Sequence, residues 1–210
     1  PMTVDGAKGK YQRWQTGLFR APWFARVFVR TMGDLADPIY EWAYQLMSED
    51  LATAETLADV GCGNALMSRR VARGLDDKRR HFWLLDQSQA QIEAGRDVIR
   101  EIASKHHVTS YARPAEENPL EDASLDVLYT TGSINLWNDP VRGLEHCKRV
   151  VKPGGVLWLF DQRPCNTVEL AFDALLVKRV FGLGLPGYTA EEVLAYARQA
   201  GLPDEHQHYP

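Results

Sequence analysis

Leu57-Ala58-Asp59-Val60-Gly61-Cys62-Gly63-Asn64-Ala65-Leu66-Met67-Ser68-Arg69-Arg70 is the stretch on which the reading of the fold turns. A short apolar run stops at an acid and a glycine-rich turn. Beyond it Leu66, Met67, Val71 and Leu75 recur at helical spacing, which predicts strand, tight loop and helix in succession. Two glycines one residue apart let the chain reverse sharply and let a ligand approach main chain that carries no Cβ. The helix N-terminus that follows adds free N–H groups suited to a carboxylate or phosphate. The stretch reads as a loop made for a small ligand.

Glycine turns of this form serve more than one chemistry. The dinucleotide fingerprint needs a third glycine after two further residues, and that place is Leu66. An NAD(P)-dependent Rossmann oxidoreductase is therefore kept only as an alternative that Leu66 opposes. Asp59-x-Gly61-x-Gly63-x-Ala65 instead resembles the first motif of class I S-adenosylmethionine-dependent methyltransferases, type 11 or ubiquinone–menaquinone methyltransferase-like. The usual form of that motif is acid-x-Gly-x-Gly-x-Gly, with Ala65 here in the third place. The resemblance implies that Gly61, Cys62 and Gly63 pack on the methionine part of the cofactor, and that Asp59 orients its amino group or a bridging water.

Further stretches follow in the order such a family requires. His81-Phe82-Trp83-Leu84-Leu85-Asp86 is a buried strand ending in an acid. An acid at that place can accept hydrogen bonds from both ribose hydroxyls, so Asp86 and its neighbour Gln87 join the expected cofactor site. Ser88 is the expected cap of a helix from Gln89 to Glu101. After a weaker strand, 107–111, Pro114-Ala115-Glu116-Glu117-Asn118-Pro119-Leu120 resembles the family's adenine loop, which implies adenine contacts at Ala115 and Glu116. Ser124 to Gly132 reads as the fourth strand, with Thr130, Thr131 and Gly132 at the end where strand order reverses and a crevice opens. Asn135 and Leu136 stand where the family pattern has two histidines. Asn135 remains able to hydrogen-bond an acceptor, and Trp137 either walls its pocket or fills the core. Arg149-Val-Val-Lys-Pro-Gly-Gly-Val-Leu157 matches a structural signature, read as a helix stop and reversal into a strand over 156–160.

Composition bounds the rest. At 210 residues with 45% apolar and 25% charged content, the chain has the make-up of a globular protein of one domain with a modest appendage. Its three cysteines, Cys62, Cys147 and Cys165, have no metal-ligand spacing, so neither a disulfide framework nor a metal site is expected. No apolar run is long enough to span a bilayer and no signal-peptide pattern opens the chain, so a cytoplasmic location is expected. Residues 1–30 hold six cations against Asp5, a balance of +5, and the −4 of the whole chain leaves −9 for the remainder.

That basic, aromatic-rich segment, 1–36, reads as one or two short helices broken near Pro22 and Gly33, capping the body. In resembling enzymes it forms a lid, which would make Tyr11 and Trp14 pocket walls. Its charge suits an anionic acceptor or weak contact with a membrane surface, and no motif favours nucleic acid. A helix capped by Asp37 with Pro38 in its first turn is expected to run to Met47. Towards the end, a helix over 168–179, a glycine-rich 182–187, a capping box of Thr189 with Glu192 and a strand over 205–209 are expected. Almost no chain then remains for the family's closing antiparallel strand.

The expectation is an α/β protein: a three-layer Rossmann-like sandwich, mostly parallel, of central order 3-2-1-4-5, with a 37–210 methyltransferase domain behind a 1–36 cap. The resemblance implies S-adenosylmethionine as cofactor, S-adenosylhomocysteine as product and a small-molecule acceptor. No residue is singled out as a catalytic base. A non-catalytic cofactor-binding subunit of a methyltransferase complex is the alternative of a different class.

Overall fold

The computed structural model describes residues 17–160, 188 and 190–203. In chain order these form α1 (Pro22–Leu35), α2 (Asp37–Thr53), β1 (Thr56–Val60), α3 (Leu66–Gly74), β2 (His81–Asp86), α4 (Gln89–Ala94), α5 (Arg96–Ala103), β3 (His107–Ala112), β4 (Leu125–Thr131), α6 (Pro140–Val150), β5 (Val151–Phe160) and α7 (Ala190–Gln199). Short 3-10 turns follow β3 at Ala115–Glu117 and β4 at Ile134–Leu136.

Side chains alternate across a strand, so a sheet whose strands bury apolar residues on both sides must be covered on both faces. Strand β1 is such a strand: Leu57 faces Met47, Leu51, Leu66, Val71 and Ile102, contributed by α2, α3 and α5. Ala58 and Val60 face the opposite layer, where α6 supplies Leu144, Cys147 and Val150 and α7 supplies Ala197. The five strands run in the order β3-β2-β1-β4-β5, every neighbouring pair parallel. All five carboxyl ends therefore lie along one edge. Strand β1 is flanked by β2 and β4, which puts the reversal of strand order beside the glycine loop.

Several local expectations change. Helix α2 is longer than expected, and its N-cap is Ala36 without a side-chain hydrogen bond. Asp37 is already in the first turn, so it serves the helix dipole rather than capping it. Helix α1 runs through Gly33 to Leu35. The helix after β2 is two helices, jointed at Gly95, where a Cβ would lie 2.4 Å from the carbonyl oxygen of Asn64. The close approach of that helix to the glycine loop is what breaks it. Lys152-Pro153-Gly154-Gly155 belongs to β5 as an irregularity within the strand: Leu125 pairs with Val151 but Val127 with Val156. Gly154 takes φ +81° there, and a Cβ on Gly155 would lie 2.8 Å from the Asp126 carbonyl. Tyr11, Trp14, Cys165, the 168–179 helix, 182–187, the Thr189 cap and the 205–209 strand lie outside the described residues.

Candidate functional site

The glycine loop leaves β1 and turns back over the carboxyl end of β2, with the amides of Gly61 and Cys62 both donating to the Leu85 carbonyl (2.7 and 2.9 Å). Three residues of the loop are left-handed: Gly61 (φ +79°), Gly63 (φ +52°) and Ala65 (φ +63°). Alanine pays about 1 kcal/mol for that conformation, and Ala65 adopts it where the family motif has glycine. Gly61 needs its missing side chain for a second reason: a Cβ there would sit 2.2 Å from Ser133 Oγ. Gly63 and Gly132 (φ +61°) differ, since a Cβ on either would meet nothing within 4 Å. Bare backbone on β1's loop and on β4's end thus faces open space.

Two acids stand at this edge in different states. Asp86 is half-buried and uses both oxygens: Oδ2 accepts from the Gly63 amide at 2.8 Å, and Oδ1 from the Ser88 amide at 2.7 Å. A carboxylate offers about four acceptor directions, so it retains capacity for further donors. Burial raises its pKa, opposed by those two amides and by the charge of Arg20. Asp59 is 2% exposed. Its Oδ2 accepts from Ser68 Oγ at 2.6 Å, and Ser68 Oγ also lies 2.9 Å from the Tyr129 hydroxyl. Burial pushes Asp59 up to about 7, the Ser68 hydrogen bond holding it down and the nearby Asp86 adding to the rise. The Cys62 thiol is pushed well up by burial and by both carboxylates, which makes it a packing group rather than a nucleophile.

Buried polar atoms without protein partners are rare in folded proteins, and each calls for a partner such as a water, an ion or a bound molecule. Asn64 Nδ2 in the glycine loop, Thr131 Oγ1 at the end of β4 and Asn135 Oδ1 just beyond it are such atoms. One donor and two acceptor-capable oxygens therefore await partners beside the two open glycines. Thr130 is spent differently: its Oγ1 lies 2.6 Å from Ser133 Oγ, which in turn donates to the Val60 carbonyl and locks the two loops together. Trp137 is 4% exposed and packs on Gly143 of α6, so its surroundings supply the packing role. Ala115 is buried. Glu116 Oε1 accepts from the Asp139 amide at 2.8 Å, which ties its loop to the start of α6, while Oε2 is buried without a partner.

Gln87 bridges two segments: Arg20 donates to its Oε1 at 3.0 Å, and its Nε2 donates to the Leu136 carbonyl at 3.2 Å. The Phe19 carbonyl accepts from Ser88 Oγ and Gln91 Nε2. The chain entering α1 is thereby fastened across the carboxyl end of β2. Among the described histidines, His81, His106 and His107 lie at the amino ends of β2 and β3, and His146 lies on α6 beside Arg149; none is at the carboxyl edge.

Four contributors were not singled out from sequence. Asn64 lay inside the quoted loop, and its amide was the available signal. Ser68 showed as a small polar residue on the apolar face of α3. Ser133 and Arg20 carried no local signal, because their partners are 73 and 67 residues away.

A family model described as a methyltransferase domain matches residues 58–159, which spans β1 to β5. The chain belongs to the class I S-adenosylmethionine-dependent methyltransferases. Among its relatives is 2-methyl-6-phytyl-1,4-hydroquinone methyltransferase 1 of Oryza sativa subsp. japonica, 29% identical over 143 residues, covering 65% of this chain and 41% of that one. Another is the 27-O-demethylrifamycin SV methyltransferase of Amycolatopsis mediterranei, 30% identical over 157 residues, covering 74% and 56%. A solved structure, the [4+2]-cyclase SpnF, superposes with a TM-score of 0.59 at 25% identity, covering 79% of this chain and 56% of that one. The chain spans about half or less of the length of these curated relatives. The sheet order is that of the Rossmann-like methyltransferase fold, and S-adenosylmethionine is the methyl donor of the family. Leu66, 3% exposed at the first turn of α3, closes the nicotinamide alternative together with this membership.

Proposed function

We propose that this methyltransferase transfers a methyl group from S-adenosylmethionine to a small-molecule acceptor at the carboxyl edge of the sheet. The observation that carries the reading is the meeting there of two open left-handed glycines, Gly63 and Gly132, with the unpartnered atoms Asn64 Nδ2, Thr131 Oγ1 and Asn135 Oδ1. The residues fit the cofactor. Gly61, Cys62 and Gly63 form its cradle, and Asp86 with Gln87 takes the ribose. Ala115 and Glu116 border the adenine, and Thr131 and Gly132 flank the reacting end, with Thr130 holding them through Ser133. Asp59 answers the amino group from behind the loop. The cofactor, when bound, supplies a methyl already activated by its sulfonium.

The protein's share is orientation and exclusion of water. With no histidine at the carboxyl edge among the described residues, the acceptor we infer attacks through an atom that needs no base from the enzyme, such as a thiolate, a carboxylate or an activated ring carbon. Asn135 orients it. A lone pair of the thiolate or carboxylate, or the π pair of a ring that afterwards releases its ring proton to water, forms the new bond to the methyl carbon, and the sulfur keeps the pair it had shared. Residues before 37 are the lid of this proposal, and a cytoplasmic location is part of it; among the described residues no helix is long and apolar enough to cross a membrane.

Isothermal titration with S-adenosylhomocysteine tests the cradle, with one site per chain expected. No heat from a folded sample, by either cofactor or product, overturns the proposal. Asn135 and Leu136, standing in place of the histidines, also favour the non-catalytic subunit reading; methyl transfer that appears only with a co-purified second chain would select it.

A further inference from the structure

Helix α1 has a buried face and an exposed one. Ala25 is fully buried, and Phe24 and Phe28 beside it are half-buried, with Phe19 in edge-to-face contact with both rings (5.2 and 5.3 Å). The opposite face holds Trp23, Arg26, Val27 and Arg30, at the i, i+3, i+4, i+7 spacing of one helical stripe. Trp23 is 61% exposed, Val27 is 50% exposed and both arginines are exposed. A tryptophan this open, on a helix whose inner face already supplies the core contact, is not explained by packing.

From 17 to 33 the chain contains Arg20, Arg26 and Arg30 and no carboxylate. We propose that the Trp23–Arg26–Val27–Arg30 face of α1 docks on the surface of an anionic lipid bilayer. Tryptophan and valine enter the headgroup boundary, where an indole ring is most stable, and the arginines reach phosphates while their stems cover apolar surface. Charge sets the orientation: residues 1–30 carry +5 and the remainder −9, so an anionic surface attracts this end and repels the rest. A second copy is a poorer occupant, because it brings the same arginines together with no carboxylate in the stripe to answer them. RNA would use the arginines and leave the exposed valine without a role.

The use of such docking rests on the function proposed above. Phe19 and Arg20, just before α1, are fastened to Ser88, Gln91 and Gln87 beyond the carboxyl end of β2. A bilayer held against α1 therefore lies near the mouth of the cofactor site. An acceptor dissolved in lipid reaches the reacting edge without crossing water.

The test is flotation of the full chain with vesicles of phosphatidylcholine alone or mixed with phosphatidylglycerol, at low and high salt, together with tryptophan quenching by brominated lipid. Binding is expected only to the mixed vesicles, weakening with salt and accompanied by quenching. The double variant Arg26→Glu/Arg30→Glu is expected to lose roughly 30-fold or more in vesicle partition, and Trp23→Ser to lose the quenching. Both are expected to keep the wild-type circular dichroism spectrum and melting temperature, which shows that they fold. Equal binding to neutral vesicles, no binding to either, or flotation unchanged in the variants overturns the proposal. So does loss of a dimer, or of RNA binding, in the variants of a chain that ignores vesicles. Failure to bind S-adenosylhomocysteine with vesicle binding intact removes the methyl-transfer reading and leaves the docking surface standing.

Discussion

The two ends of the sheet treat their polar groups in opposite ways. At the amino end, Asp126 accepts from the amides of Glu55 and Thr56, the Thr56 hydroxyl and Lys152 Nζ. Burial alone would raise its pKa, yet these donors win and hold it far below the ordinary value. Arg80, 2% exposed, spends its guanidinium on Asp76 and the carbonyls of Ala52, Ala54 and Lys78. His106 Nε2, and Asn118 Nδ2 beside Arg149, depart from this pattern among the described residues. At the carboxyl end, among the described residues, Asp59 accepts from Ser68 alone, and Asn64, Thr131 and Asn135 each keep a buried atom without a partner. Saturated polar groups fix a fold; unsaturated ones hold free energy that a ligand can collect.

The largest effect that could break this contrast is expected at Gly61. A methyl there overlaps Ser133, so Gly61→Ala should cost about 3 kcal/mol, read as about a 100-fold loss in cofactor affinity. Removing the obstruction in Gly61→Ala/Ser133→Gly should recover part of it; titration calorimetry checks both. At the other end, Arg80→Met strands several carbonyls and should destabilise by about 3 kcal/mol. That is roughly 6–12 °C in Tm for a chain of this size, with affinity for S-adenosylhomocysteine unchanged below the melt. A matching loss of affinity would mean the two ends are not independent.

Asp59 sharpens the contrast through pH. Its pKa is pushed up to about 7 from an ordinary value near 4, so between those values the folded chain holds a proton that the unfolded chain has released. The stability this brings is complete below about pH 4, falls as pH rises through about 7 and is flat above. Asp59→Asn should abolish the slope and raise stability at pH 8 by on the order of 1–3 kcal/mol, while weakening the cofactor. Thermal melts across pH without ligand check the sign. The smallest effect is Ala65→Gly, where relief of about 1 kcal/mol of left-handed strain is offset by the lost methyl and a freer unfolded chain. A Tm change within about 2 °C is expected; a larger rise would show that strain is stored in the loop.

Strand ends and their order were legible because each is written locally: an apolar run, then Asp59-Val60-Gly61, Asp86 or Thr131-Gly132. So was the cap at Ser88, which accepts from Gln91. What sequence missed depends on partners far along the chain. The break at Gly95 answers to Asn64, and Glu116 turns to Asp139, which no local pattern encodes. Lys152 to Gly155 misled for another reason. Pro-Gly-Gly is turn chemistry wherever it occurs, and only pairing with β4 shows it to be an irregular start of β5.

The interlock of Gly61 with Ser133 also orders events in time. Contacts so distant in sequence are made late, and Ser133 leaves the ribosome only after β1, β2 and β3. A nascent chain that ends at β3 carries every residue of the glycine motif, held on the β2 side by the Leu85 carbonyl and Asp86 but not yet on the other. The other side closes with β4, since the strand inserted beside β1 brings the serine that packs against Gly61 and bonds the Val60 carbonyl.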